Sequence, residues 1–273
     1  YLQIFILGVI QGITELLPVS STAHMRVVPA LLGWQDPGSA FSAAMQLAAL
    51  AAVVSYFWRD VHQVTPGSIS AVRRGDYNDR WFKLAVAIIL ATIPIGIAGL
   101  ALSSTLNTCN SPLRGLMVIG ISCVVMAVLL AVAEVRARHT RDMSEMRLRD
   151  ALIVGIAQIG ALIPGVSRSG STLTAALFLN FKREEAARFS FLLGLPAIAL
   201  AGLKELWVLL HAELPAHAWS HLLFGLVVAS VSAFFAIWGL MKFLERFSTW
   251  PFVIYRALLG IFLIVAVSTG LLS

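Results

Sequence analysis

Nine residues, Pro164-Gly165-Val166-Ser167-Arg168-Ser169-Gly170-Ser171-Thr172, limit what this chain can fold into more than any other stretch. Apolar runs flank them, Ala151 to Ile163 and Leu173 to Phe181, in which only Gln158, Thr174 and Asn180 are polar. A helix needs about 20 residues to cross a bilayer, so neither flank spans one alone. The chain is 59% hydrophobic and 12% charged, against about 25% charged in a soluble domain. This is the composition of an all-α polytopic membrane protein, and the Pro-Gly break and its arginine then sit at membrane depth. Irregular backbone is tolerated there only inside protein or beside a water-filled cavity. An arginine there costs about 2.5 kcal/mol or more and needs a counter-charge. Its planar fork of donors, the hydroxyls and the free N–H groups of the helix that starts here make an oxyanion site suited to phosphate. A helix break with a satisfied structural arginine is the alternative.

A second island, Pro18-Val19-Ser20-Ser21-Thr22-Ala23-His24, follows the short apolar segment Tyr1 to Leu17 and precedes a short apolar piece to Trp34. Spans are expected over Phe41 to Trp58, Leu84 to Leu102, Leu113 to Val135, Ala187 to Leu210, Ser220 to Met241 and Pro251 to Leu272. Arg59 to Lys83 reads as a charged loop, and Lys182 to Glu185 as a solvated turn. Cys109 and Cys123 form neither a disulfide framework nor a metal motif; Cys123 reads as packing. No cleavable signal peptide is expected.

The halves repeat. Gly8-Val9-x-Gln11 lies against Gly155-Ile156-x-Gln158 at an offset of 147, and Val19-Ser20-x-Thr22 against Val166-Ser167-x-Ser169 at the same offset. The expected architecture is a single membrane domain over 1–273 with an inverted-topology repeat. Each half is a broken re-entrant helix hairpin plus three transmembrane helices: repeat 1 about 1–135, a loop about 136–150, repeat 2 about 151–273. Broken helices meeting at the midplane are a transporter-like device. Arg59 to Lys83 and Arg136 to Asp150 each carry five basic residues, whereas Ser103 to Pro112 and His211 to Trp219 carry no Lys or Arg. The net charge of +6 therefore reads as a positive-inside signal and not a nucleic-acid one, with the basic loops cytoplasmic. The polar tips then meet, bringing Glu15, Ser21 and His24 beside Arg168.

Glu15 is the acid that Arg168 calls for. With Gln11 one turn away it can also hold a divalent cation such as Mg2+ or Ca2+. Ser21 can be a nucleophile with His24 as base, or His24 can itself attack phosphorus or act as acid or base. Ser167, Ser169 and Thr172 are donors to equatorial oxygens. Ser20 is either another such donor or, like Thr22 and Ser171, an N-cap. Arg26 can edge the pocket, and Arg256 can snorkel or pair with a carbonyl. A phosphatase and a carrier of a phosphorylated lipid both fit; a nucleophile at the oxyanion site favours the enzyme.

These residues resemble the bacterial undecaprenyl pyrophosphate phosphatases, the BacA-type bacitracin-resistance family. Gln11 to Glu15 matches its (E/Q)xxxE motif, Pro18 to His24 its PVSSxxH, and Pro164 to Thr172 its PGxSRSxxT. The likeness continues through Phe189 to Leu193, Pro196 and Ile254-Tyr255-Arg256. It implies hydrolysis of undecaprenyl diphosphate to undecaprenyl phosphate and inorganic phosphate, recycling the carrier for peptidoglycan. It also implies Glu15, Ser21, His24, Ser167, Arg168 and Thr172 as active-site residues, divalent-cation dependence, and an inner-membrane enzyme with its site toward the periplasm. Gln11 stands where many relatives carry Glu, so one charge fewer faces the cation. A flippase of a polyprenyl lipid is the runner-up, and a homodimer is left open.

Overall fold

The computed structural model describes residues 1–34, 39–102, 115–211 and 216–272, which form eleven α-helices and no strand. Helices α1 (Leu2–Leu16) and α2 (Ser21–Leu32) flank the first polar island. Then come α3 (Ser39–Tyr56), α4 (Trp58–Arg74), α5 (Arg80–Ala101) and α6 (Leu116–Arg136). Helices α7 (Leu148–Gln158) and α8 (Arg168–Phe178) flank the second island, followed by α9 (Arg183–Leu210), α10 (Ala216–Leu244) and α11 (Trp250–Ser268). The helices beside the islands have 15, 12, 11 and 11 residues, too few to cross a bilayer. Five others, α5, α6, α9, α10 and α11, are long and apolar enough. The protein is a multi-pass membrane protein.

Outward-facing apolar stripes fit that setting. Ile89, Ile93, Ile97 and Leu100 of α5 are exposed at helical spacing, as are Ile254, Leu258, Ile261 and Val265 of α11. Helix α9 differs. Its consecutive residues Phe191, Leu192 and Leu193 are all buried, because α3, α5, α8 and α10 surround it. A helix apolar on every side is a central one. Small residues let the short helices press in. A side chain at Gly12 of α1 would strike the Ala229 backbone of α10, and one at Gly155 of α7 would strike the Ala91 backbone of α5. Gly8 and Gly12, one turn apart, form the face of α1 that packs closely on α10.

Two expectations fail in an informative way. The charged stretch after Tyr56 is not a loop throughout: Trp58 to Arg74 forms α4, ended by Gly75 at φ 69°. Its buried Asp60 binds both Nε and Nη2 of Arg188 on α9, an anchor that apolar periodicity cannot reveal. Nor is Lys182 to Glu185 simply a solvated turn. Arg183 opens α9 and donates through Nε to buried Glu134 of α6 at 2.9 Å, while Thr249 before α11 donates to the other Glu134 oxygen at 2.8 Å. Arg183 is partly exposed, but Glu134 is buried, so removing Arg183 would leave a buried carboxylate without its counter-charge. Cys123 is buried as expected. The Ser103 to Pro112 loop, with Cys109, lies outside the described residues, as do 212–215 of the other loop that lacks Lys and Arg.

Candidate functional site

Both islands launch their second helix by one device. Ser20 and Ser167 sit at φ 74° and 69°, a region non-glycine residues rarely enter. Each hydroxyl accepts the N–H three residues on, from Ala23 at 3.4 Å and from Gly170 at 3.2 Å. Ser20 is therefore a cap, and the second cap is Ser167, not Ser171. The Ser171 and Thr172 hydroxyls donate back to the Arg168 carbonyl at 3.0 and 2.9 Å.

Arg256 of α11 locks the islands together. It is 1% exposed and does not snorkel. Its Nη1 donates to the Pro18 carbonyl at 2.9 Å, and its Nη2 to the Gly165 and Val166 carbonyls at 2.8 and 2.9 Å. The Ser169 hydroxyl adds a bond to the Leu17 carbonyl at 3.1 Å. Ser169 and Thr172 thus already have local acceptors, whereas Arg168 retains an open donor.

Where the islands meet, Arg168 Nη2 donates to Glu15 Oε1 at 3.4 Å. The other carboxylate oxygen accepts from Ser21 Oγ at 2.5 Å and from Gln11 Nε2 at 3.1 Å. A cavity of about 150 Å3 opens over this cluster, with Glu15, Ser20, Ser21, Thr22, Ser167 and Arg168 in its wall. Gln46 of α3 joins them, and Ile95, Ile163 and Ile198 supply an apolar side. Arg168 Nη1 is buried without an acceptor, an arrangement that is unfavourable until an acceptor arrives. It rests against Gly194 of α9, where a side chain would overlap it. Arg26 and His24 do not line the cavity.

His24 is placed differently from its expected position beside Ser21. Its Nδ1 lies 2.7 Å from the Ser20 carbonyl and its Nε2 2.5 Å from the Tyr255 hydroxyl. A carbonyl only accepts, so Nδ1 carries the proton and Nε2 accepts from Tyr255. The two rings are stacked, 7° from parallel.

Among the described residues no three His, Cys, Asp or Glu cluster as metal ligands. Glu15 is the one carboxylate at the cavity, and the Gln11 amide turns its nitrogen toward it. A caged, protein-ligated cation does not fit this donor set. A cation taking one carboxylate and otherwise phosphate oxygens and water does.

A family model described as Bacitracin resistance protein BacA matches residues 4–262. The chain belongs to the BacA family. Undecaprenyl-diphosphatase 2 of Mesorhizobium japonicum is 73% identical over 263 residues, 96% of this chain and 100% of that protein. Undecaprenyl-diphosphatases of Gloeobacter violaceus and Synechococcus elongatus are 51% and 49% identical, each over 99% of this chain and over 93% and 94% of their own lengths. In this BacA chain, sequence reasoning missed Gln46 in the cavity wall, Gly194 behind Arg168, and Tyr255 as the partner of His24. Gln46 had a signal, an amide inside an apolar span. Gly194 had none, because its role is to leave space.

Proposed function

We infer that this chain is an undecaprenyl-diphosphatase, hydrolysing undecaprenyl diphosphate to undecaprenyl phosphate and inorganic phosphate. The observation that carries the reading is the meeting of Arg168, Glu15 and Ser21 in one cavity, in a chain whose relatives bear that enzyme's name. Arg168, in the cavity wall, grips the terminal phosphoryl group. Glu15 takes the Ser21 proton as Oγ attacks phosphorus, and the bond to the bridging oxygen breaks toward the lipid phosphate. Water then releases inorganic phosphate from the serine. This geometry favours Ser21 over His24 as nucleophile, since both His24 nitrogens are committed. His24, with Tyr255 behind it, holds the Ser20 turn. Ser20, Ser167, Ser169 and Thr172 shape the phosphate cradle. A divalent cation, Mg2+ or Ca2+, would be held by Glu15 and would offset diphosphate charge. Purified protein should release inorganic phosphate from a polyprenyl diphosphate in detergent. Binding without release would mark a carrier instead.

Glu15→Ala should abolish that release, because it removes both the proton acceptor and the partner of Arg168. Gln11→Glu should keep turnover but make it more cation-dependent, since two carboxylates about 3 Å apart repel until a cation or proton joins them. A metal titration unmoved by Gln11→Glu would remove Gln11 from the cation site.

The inverted repeat belongs to this reading, with repeat 1 about 1–135 and repeat 2 about 151–273. The paired serine caps support it, as does the reciprocal packing of α1 on α10 and α7 on α5. So does the orientation, in the inner membrane with basic loops inside and the site toward the periplasm. A cysteine replacing exposed Ser144 should resist an impermeant thiol reagent in whole cells and react after lysis. Ready labelling in intact cells would reverse the orientation.

A further inference from the structure

A second cavity, of about 600 Å3, lies where α3, α4, α5 and α9 come together. Arg59, Arg80 and Arg188 line it with a single carboxylate, Asp60, which Arg188 already binds. Neither Arg59 nor Arg80 has a carboxylate partner among the described residues; Arg80 stands over the Trp81 ring, 5.0 Å from its centre. Trp58 and Trp81 complete the rim.

Its depth follows from three helices shared with the Arg168 cavity. Along α3, Gln46 lines the first cavity and Ser55 the second; along α5, Ile95 and Trp81; along α9, Ala197 and Arg188. Those separations of nine to fourteen residues amount to about 14–21 Å of helix. With a hydrocarbon core about 30 Å thick, a midplane site puts the second cavity at one membrane interface. Tryptophan and arginine are at home there.

A neighbouring opening lies one turn further along α3. Ser55 lines a third opening of about 300 Å3, whose other walls are Ala51 and Ala52 of α3 and Val231, Phe234 and Phe235 of α10. Apart from Ser55 and Ser230 that lining is apolar. A cationic chamber at the interface and an apolar groove one turn deeper, with Ser55 in the wall of both, suit the head and the chain of one lipid molecule. A free anion would use only the first part.

We propose that Arg59, Arg80 and Arg188 hold the phosphate headgroup of an anionic membrane lipid, whose chain lies in the groove between α3 and α10. This site is separate from the one that hydrolyses diphosphate. The test uses the full chain in mild detergent with added phosphatidylglycerol or phosphatidylcholine, counting retained lipids by native mass spectrometry. The wild-type protein should retain phosphatidylglycerol in preference to phosphatidylcholine. The double substitution Arg59→Ala with Arg80→Ala should lower that retention about thirtyfold, as expected for two interfacial cations. Ser55→Phe, which blocks the junction and leaves the charge intact, should lower it too. Both variants should melt like wild type and release phosphate from polyprenyl diphosphate at the wild-type rate. Equal retention of the two lipids, undiminished retention by the double variant, or displacement by millimolar inorganic phosphate would each overturn the proposal. The readout is retention, so a chain without phosphatase activity would leave it standing.

Discussion

Arg168→Lys is expected to express, stay monodisperse in detergent, and release phosphate from a polyprenyl diphosphate at least about a hundredfold more slowly. Lysine keeps the positive charge that Glu15 needs, so the ion pair and the fold should persist. It loses the planar fork, and with it the paired donors that can hold two oxygens of one phosphoryl group. The Arg168 side chain is only 11% exposed, so little bulk water screens its charge. A donor aimed at developing charge is worth most in such a place. The space beside Gly194 is fitted to a guanidinium, and an ammonium would leave part of it empty. Near-normal turnover by the lysine variant would reduce Arg168 to a counter-charge for Glu15.

Arg256→Met should act on the fold first and on catalysis through it. Methionine fills much of the volume but donates nothing, leaving the Pro18 and Val166 carbonyls without the Arg256 donor and the Gly165 carbonyl with only the weak Cys123 thiol. Each orphaned acceptor costs about 1–3 kcal/mol, so the total loss should be about 3 kcal/mol or more. For a chain of this size that lowers the melting temperature by roughly 5 °C. Below melting, the islands are no longer held in register and turnover should fall sharply. Arg256→Lys, which can still reach one carbonyl, should fall between the two. A methionine variant that melts and turns over like wild type would show that the Arg256 contacts do not hold the islands.

How far the sequence could be read depended on the kind of interaction. The islands at Pro18 and Pro164 were visible because proline and polar residues interrupt apolar runs too short to span. The Glu15–Arg168 pair was visible because a buried charge demands an opposite one. Arg256 could be placed near a carbonyl but not on three, because backbone acceptors carry no sequence signature. Tyr255 stands 231 residues from His24, and only folding brings α2 and α11 into register. Helix α4 was hidden for another reason. Pro66, Gly67 and many charges mimic a loop, while Asp60 and Arg188 are joined across 128 positions.

The two serine caps have an evolutionary consequence. Ser20 and Ser167 hold positive φ angles that cost a non-glycine residue about 1–3 kcal/mol each. Their caps on Ala23 and Gly170 offset part of that cost. Each strained turn also sets a hydroxyl in the wall of the cavity. A substitution at either serine therefore alters a helix start and the cavity wall at once, which leaves these two positions little room to drift.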